Sequence, residues 1–249
     1  MFTRGLRARF GKFKLGYFWA IMDPVFGIAV LCFIRTLMGS RSIAGLEFPL
    51  FFASGMLFYN LFNLIGQASL GAVEANMSLL NYQRIKPLDP IISRALLEMI
   101  LSGTSMLVVL GSIAYFGFEF SIDSILGVIE AFFLLVFFSF GVGLFLATVS
   151  PFVQDFKKIA PVLLRPLFFL SGIFFSVNTM PESVVPYFMW NPILHGIELG
   201  RDALFESYTS EHADKSYLYI SAVVSLTLGL MIFRRFRITL VTSGTIKLA

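Results

Sequence analysis

Six apolar stretches, most near the length needed to cross a lipid bilayer, occupy the greater part of this 249-residue chain: 24–38, 48–72, 91–116, 124–149, 159–176 and 217–233. A helix rises about 1.5 Å per residue, so a hydrocarbon core of ~30 Å takes about 20 of them. The first and last stretches are short by that measure. The chain is 57% hydrophobic and 14% charged, against roughly 45–50% and about 25% in a soluble domain. Mean hydropathy is +0.83. The sequence therefore predicts an all-α polytopic membrane protein with six transmembrane helices in a single domain, 1–249, because no polar block is long enough to make a second.

Charge sets the expected orientation. With the N-terminus inside, the cytoplasmic side receives Arg4, Arg7, Arg9, Lys12, Lys14, Arg84, Lys86, Arg94, Lys157, Lys158, Arg165, Arg234, Arg235, Arg237 and Lys247. These are fifteen of the nineteen basic residues; Arg41, Arg201 and Lys215 fall outside and Arg35 lies in a span. The positive-inside bias thus favours cytoplasmic N- and C-termini. Net charge is +4, but the basic residues mark segment ends rather than one face, so nucleic acid is not an expected partner. The basic start followed by an apolar run has the outline of a signal peptide. Asp23-Pro24 interrupts that run, however, and Tyr17-Phe18-Trp19 reads as an interfacial anchor, so cleavage is not expected. Cys32 is the sole cysteine, which leaves no intrachain disulfide and no thiolate cluster.

Residues 177–216 are too long for a turn and not uniformly polar. Pro181, Pro186 and Pro192 divide them into apolar pieces of about ten residues, too short to span, which predicts re-entrant or interfacial helices at the external mouth. Asn191-Pro192 reads as an N-cap followed by a first-turn proline. The helix it opens carries Glu198, Arg201 and Asp202.

Other groupings carry an ordinary and a sharper reading. Phe2, Leu6, Phe10, Phe13 and Tyr17 recur at helical spacing among five basic residues, which describes an amphipathic helix on the inner surface. It anchors to anionic membrane lipid or docks a cytoplasmic partner. The loop through Tyr82, Gln83, Arg84, Ile85 and Lys86, ended by Pro87, is a connector or a protein contact. Asn60, Asn63 and Gln67 share a face of the second span, for interhelical hydrogen bonding or for lining a pore. Ser139, Gly143 and Ala147 form a small-residue packing ridge. Arg35 and Glu130 are intramembrane charges that either snorkel, pair with each other or meet charged cargo. Among thirty phenylalanines, Phe168, Phe169, Phe174 and Phe175 flank Ser171-Gly172 and are the best candidates for a lumen, although lipid contact is the default.

No phosphate loop, His-Glu-x-x-His or Gly-x-Ser-x-Gly motif is present, and no chain of buried carboxylates suggests proton coupling. His195 and His212 lack metal-ligand spacing. The sequence offers no cofactor site, no metal site and no catalytic group of an enzyme. A driving force has to come from a partner.

Several pieces together resemble the membrane subunit of ABC-2 type exporters, in particular the capsular polysaccharide export permeases. They are Leu15-Gly16-Tyr17-Phe18-Trp19-Ala20-Ile21-Met22-Asp23-Pro24, the loop through Pro87-Leu88-Asp89-Pro90 to Arg94 and Glu98, and Asn191-Pro192-Ile193-Leu194-His195-Gly196-Ile197-Glu198 with Arg201. Each is loose alone, and their order spans nearly the whole chain. The resemblance implies a homodimer bound to two copies of a soluble ATP-binding cassette ATPase, exporting a lipid-linked polysaccharide across a bacterial inner membrane with a periplasmic co-polymerase or adaptor. It implies an interface helix containing Arg4, Arg7, Arg9, Phe10 and Phe13, and ATPase coupling through Tyr82, Gln83, Arg84, Ile85 and Lys86. It also implies a periplasmic gate containing Trp190, Asn191, His195, Glu198 and Arg201 between spans five and six. Arg35 and the region from Phe168 to Phe175 would stand near the tunnel. Export of O-antigen or teichoic acid uses the same architecture. An integral-membrane enzyme or a secondary transporter is a reading of a different class.

Overall fold

The computed structural model describes residues 22, 25–30, 33–34, 42–77, 86–118, 120–153 and 155–246, with side chains placed up to residue 237. The described residues are almost wholly helical. Residues 25–30 and 33–34 are helical and belong to the first expected span, whose remainder lies outside the described residues. A two-residue hairpin follows, β1 (Ser42–Ile43) and β2 (Leu46–Glu47), paired antiparallel with Ser42 opposite Glu47. Its turn, Ala44-Gly45, takes positive φ at both residues (48° and 85°). That is the sign pattern of a tight hairpin turn matching the twist of its strands.

Helix α1 (Phe48–Leu70) starts directly from this hairpin, with Pro49 in its first turn. It is apolar around nearly its whole circumference and buried along most of its length, as expected for a helix at the centre of a bundle. α2 (Asp89–Tyr115), α3 (Ile125–Val149) and α6 (Lys215–Ile246) supply the other long helices. Among the described residues, four helices are long and apolar enough to cross a membrane: Phe48–Leu70, Asp89–Tyr115, Ile125–Val149 and Lys215–Arg237. They coincide with the second, third, fourth and sixth expected spans.

The fifth expected span differs. Its helix, α4 (Phe156–Leu170), has 15 residues and contains Pro161 and Pro166. About 15 residues rise only ~22 Å, so α4 alone is shorter than the hydrocarbon core. The apolar run continues to residue 176, but the helix stops at Leu170 because Gly172 takes φ 75° and turns the chain. A left-handed residue at this point is what glycine permits at low cost.

α1 and α3 are the common partners around which the other helices pack. Glycines set how closely they approach. A Cβ on Gly141 of α3 would stand 2.4 Å from the Ser225 backbone of α6, and one on Gly229 of α6 would stand 2.5 Å from the Gly141 carbonyl oxygen. The Ser225 hydroxyl donates to the Phe138 carbonyl at 3.0 Å across the same contact. The expected ridge is a packing surface: Gly143 faces Ser69 of α1, while Ser139 and Ala147 are buried. At the other side of α1, Arg94 of α2 donates to the Ala68 carbonyl (3.1 Å) and Tyr59 donates to the Leu164 carbonyl of α4 (3.3 Å). Lys157 of α4 pairs with Glu74 just beyond α1.

Gly141→Val is therefore expected to destabilise the bundle by about 1–3 kcal/mol, the usual cost of overpacking a close contact. Gly111→Val, where nothing lies within 4 Å, should be far milder. Thermal unfolding of both variants in the same detergent checks the difference; equal melting temperatures would contradict the α3–α6 packing.

Candidate functional site

The segment between α4 and α6 folds as two 3-10 turns, Val177–Thr179 and Val185–Tyr187, then α5 (Pro192–Leu204) and a return loop. Asn191 organises its start. Its side-chain oxygen accepts from the Ile193 amide (3.0 Å), the capping bond expected before Pro192. Its amide nitrogen donates to the Ser171 hydroxyl (3.0 Å) and the Leu170 carbonyl (3.3 Å). One buried side chain thus begins α5 and closes α4. At the far end, Ser124 donates from its backbone to the Ala203 carbonyl (3.0 Å), and Glu206 to that of Ser121 (3.1 Å), fixing α5 to the first turn of α3.

The centre of this region is Arg201, whose side chain is completely buried. Its guanidinium donates to Glu198 Oε1 (3.2 Å), the Ser54 hydroxyl (3.3 Å), the Phe51 carbonyl (3.1 Å) and the Ile173 carbonyl (3.4 Å). It also lies 3.6 Å from the centre of the Phe51 ring, a cation–π contact. Glu198, equally buried, accepts from Tyr208 through Oε2 as well, and Tyr208 and Ser176 share a hydrogen bond of 2.6 Å. Burial and the Glu198 charge both raise the Tyr208 pKa, so the phenol keeps its proton and stays a donor.

This arrangement is a bracket. It joins α1 through Phe51 and Ser54, the turn after α4 through Ile173 and Ser176, and α5 with its return loop through Glu198, Arg201 and Tyr208. Space around it is tight: a Cβ on Gly55 would stand 2.4 Å from the Arg201 guanidinium and 3.1 Å from Ile173 Cα. One on Gly200 would stand 2.3 Å from the Phe58 ring.

His195 forms a second tie. One ring nitrogen contacts the Met189 carbonyl (2.8 Å) and Nδ1 accepts from the Asp214 amide (2.9 Å), which assigns the proton to Nε2. The ring packs on Tyr217 at 4.6 Å, and Tyr217 donates to the Trp190 carbonyl (2.7 Å). Burial lowers the His195 pKa, consistent with a neutral ring making both bonds. The first turn of α6 is thereby fastened to α5.

The expected gate residues Asn191, His195, Glu198 and Arg201 come together in this region, all buried, while Trp190 is exposed. Of the four phenylalanines, Phe168, Phe169 and Phe174 make one ring cluster with Tyr59 and Phe52, whereas Phe175 turns away to Phe188. Glu130 is engaged by Lys215 and by Tyr219, which donates at 2.6 Å. Arg35, its suggested mate, lies outside the described residues, as do Arg4, Arg7, Arg9, Phe10, Phe13, Tyr82, Gln83, Arg84 and Ile85. Lys86 is exposed, and its backbone amide donates to Asp89 (2.8 Å). Phe51, Ser54, Gly55, Ser176 and Tyr208 escaped the sequence reading. The Ser54-Gly55 pair inside an apolar span was the available signal for the first three.

Arg201→Met should destabilise the protein by about 3–5 kcal/mol, because it leaves the Glu198 carboxylate buried without its counter-ion. The double variant Arg201→Met with Glu198→Met should recover much of that loss, since a well-packed apolar pair often replaces a buried ion pair. Unfolding of the two single variants and the double variant in detergent measures the coupling; additive effects would contradict the bracket.

The sequence profile of the ABC-2 type transporter family matches residues 1–205. The chain is 36% identical over 243 residues to the polysialic acid transport protein KpsM of Escherichia coli, an alignment covering 98% of this chain and 94% of that protein. It is 24% identical to the capsule polysaccharide export inner-membrane protein CtrC of Neisseria meningitidis serogroup A, over 95% of this chain and 89% of that one. The O-antigen export system permease protein RfbA of Klebsiella pneumoniae is 23% identical, with 94% and 90% covered. A family match over most of the sequence, relatives aligned along nearly their full length and, among the described residues, four helices long and apolar enough to cross a membrane place this chain in the ABC-2 type transporter family, as a multi-pass membrane subunit.

Proposed function

We propose that this chain is the permease subunit of an ATP-driven exporter that moves a lipid-linked capsular polysaccharide across the inner membrane. The observation that carries the reading is the near end-to-end alignment with capsule export proteins, at higher identity to KpsM than to the O-antigen permease RfbA. On this reading two copies form the conduit and two soluble ATPase subunits drive it. A periplasmic co-polymerase or adaptor receives the cargo.

The finer assignments belong to the same proposal. Six spans with both termini cytoplasmic are supported by the distribution of basic residues. The first of them would run through 24–38, and α4 with the turn after it would complete the fifth. The amphipathic start, with Arg4, Arg7, Arg9, Phe10 and Phe13, would lie along the inner surface against the ATPase. Tyr82, Gln83, Arg84, Ile85 and Lys86 would receive the coupling contact. Trp190, Asn191, His195, Glu198 and Arg201 would build a re-entrant gate on the periplasmic side, a role that the burial of Asn191, His195, Glu198 and Arg201 supports. Arg35, Phe168, Phe169, Phe174 and Phe175 would stand near the tunnel, with Phe175 the least suited because its ring packs on Phe188.

A capsule-producing strain lacking its own permease, supplied with this chain and a soluble ATP-binding cassette ATPase from the same organism, tests the reading. Surface polysaccharide should return, and Tyr82→Ala with Arg84→Ala should abolish both export and co-purification of the ATPase while membrane insertion persists. Unchanged ATPase binding would remove the coupling assignment. Absence of export with both proteins assembled would contradict the reading itself.

A further inference from the structure

α1 presents one partly open face within an otherwise buried helix. Met56, Asn60, Asn63 and Gln67, spaced by four, three and four residues, lie on that side. The first three are half-buried and Gln67 is exposed. Asn60 and Asn63 fall near the middle of a 23-residue membrane-crossing helix, at the depth where an amide turned to lipid is most unfavourable. The face is bordered on one side by α4, through the Tyr59–Leu164 bond, and on the other by α2, through the Arg94–Ala68 bond. Gln67 donates to Asn63 at 2.8 Å. That bond uses one donor of Gln67 and one acceptor site of Asn63. A carboxamide offers two donors and two acceptor sites, so the stripe keeps capacity for a further partner.

Toward the start of α1 the same side of the helix runs into the ring cluster. Phe52 meets Phe174 at 5.5 Å, Phe174 meets Phe168 and Phe169, and Phe168 meets Tyr59 at 5.2 Å. Phe169 is 64% exposed and Phe174 37%. Neutral amides that both donate and accept, followed along one path by open aromatic rings, match a chain that is hydroxylated on its edges and apolar on its ring faces. A lipid tail has no use for the amides, and a cation would take their oxygens but leave their N–H donors idle. We propose that the Asn60–Asn63–Gln67 face of α1 is a carbohydrate-contacting surface of the transport path, its amides bonding sugar hydroxyls as the chain passes toward Phe169 and Phe174. This rests on the exporter reading and adds to it a binding surface on the second span.

A photo-crosslinking residue placed at Asn63 in the assembled permease–ATPase complex, with a control at Leu107 of α2, which is 75% exposed, tests this directly. The expected result is a glycosidase-sensitive adduct at 63, dependent on ATP, and none at 107. A protein–protein adduct between two copies of the chain, or no adduct at 63 while the complex exports, overturns the proposal in favour of a structural contact. As a second measurement, replacing all three amides by leucine should lower surface polysaccharide about tenfold or more, the scale of losing hydrogen bonds from a buried path. Membrane level and ATPase co-purification should be unchanged. Wild-type export from this triple variant would overturn the surface. Failure of the unaltered chain to export would instead sink the exporter reading.

Discussion

A permanently charged guanidinium with no access to solvent has to find acceptors inside the protein, and Arg201 makes that demand at the junction of three chain segments. A guanidinium carries five N–H donors in a planar fork. Four hydrogen bonds here run to one carboxylate, one hydroxyl and two carbonyls drawn from α1, α5 and the turn after α4. Two of those acceptors are main-chain carbonyls, so the demand reaches the backbone as well as side chains. Gly55 and Gly200 follow from the same constraint, since side chains there would occupy the space of the guanidinium and of the Phe58 ring that seats α5.

Consequences for movement come from the same contacts. α5 is capped by Asn191, bonded at its end to α3, tied to α6 through His195 and Tyr217, and locked to α1 by Arg201. A helix held this way is no loose flap; any opening of the region must either carry the start of α1 with it or break the bracket. On the exporter reading this links the periplasmic mouth to the second span, whose other end leads into the cytoplasmic loop at 71–88. The amide stripe and the ring cluster lie along that span, between bracket and loop.

Much of the fold was legible because hydrocarbon thickness leaves few choices: four long apolar stretches became four helices of spanning length, three of them within a few residues of the expected ends, while α6 runs on past its expected end to Ile246. Asn191-Pro192 was equally legible, since capping is local. The end of α4 was not, because hydropathy runs through Ser171-Gly172 unchanged while the backbone turns at a glycine. The burial of Glu198 and Arg201 also escaped the sequence reading, which set them at an external mouth on the strength of charge. Their partners explain why: Ser54 lies 147 positions from Arg201, and no local pattern announces such a pairing. Tyr208 sits in a polar loop, where no local pattern marks it as buried.

Hydrogen exchange of the whole protein in lipid nanodiscs, followed along α5 and α1, tests the bracket most directly. Amides of Ile193–Leu204 should exchange slowly and in step with those of the first half of α1, and Arg201→Met should release both together. Rapid exchange of α5 while α1 stays protected would show that the buried arginine does not hold the two as one unit.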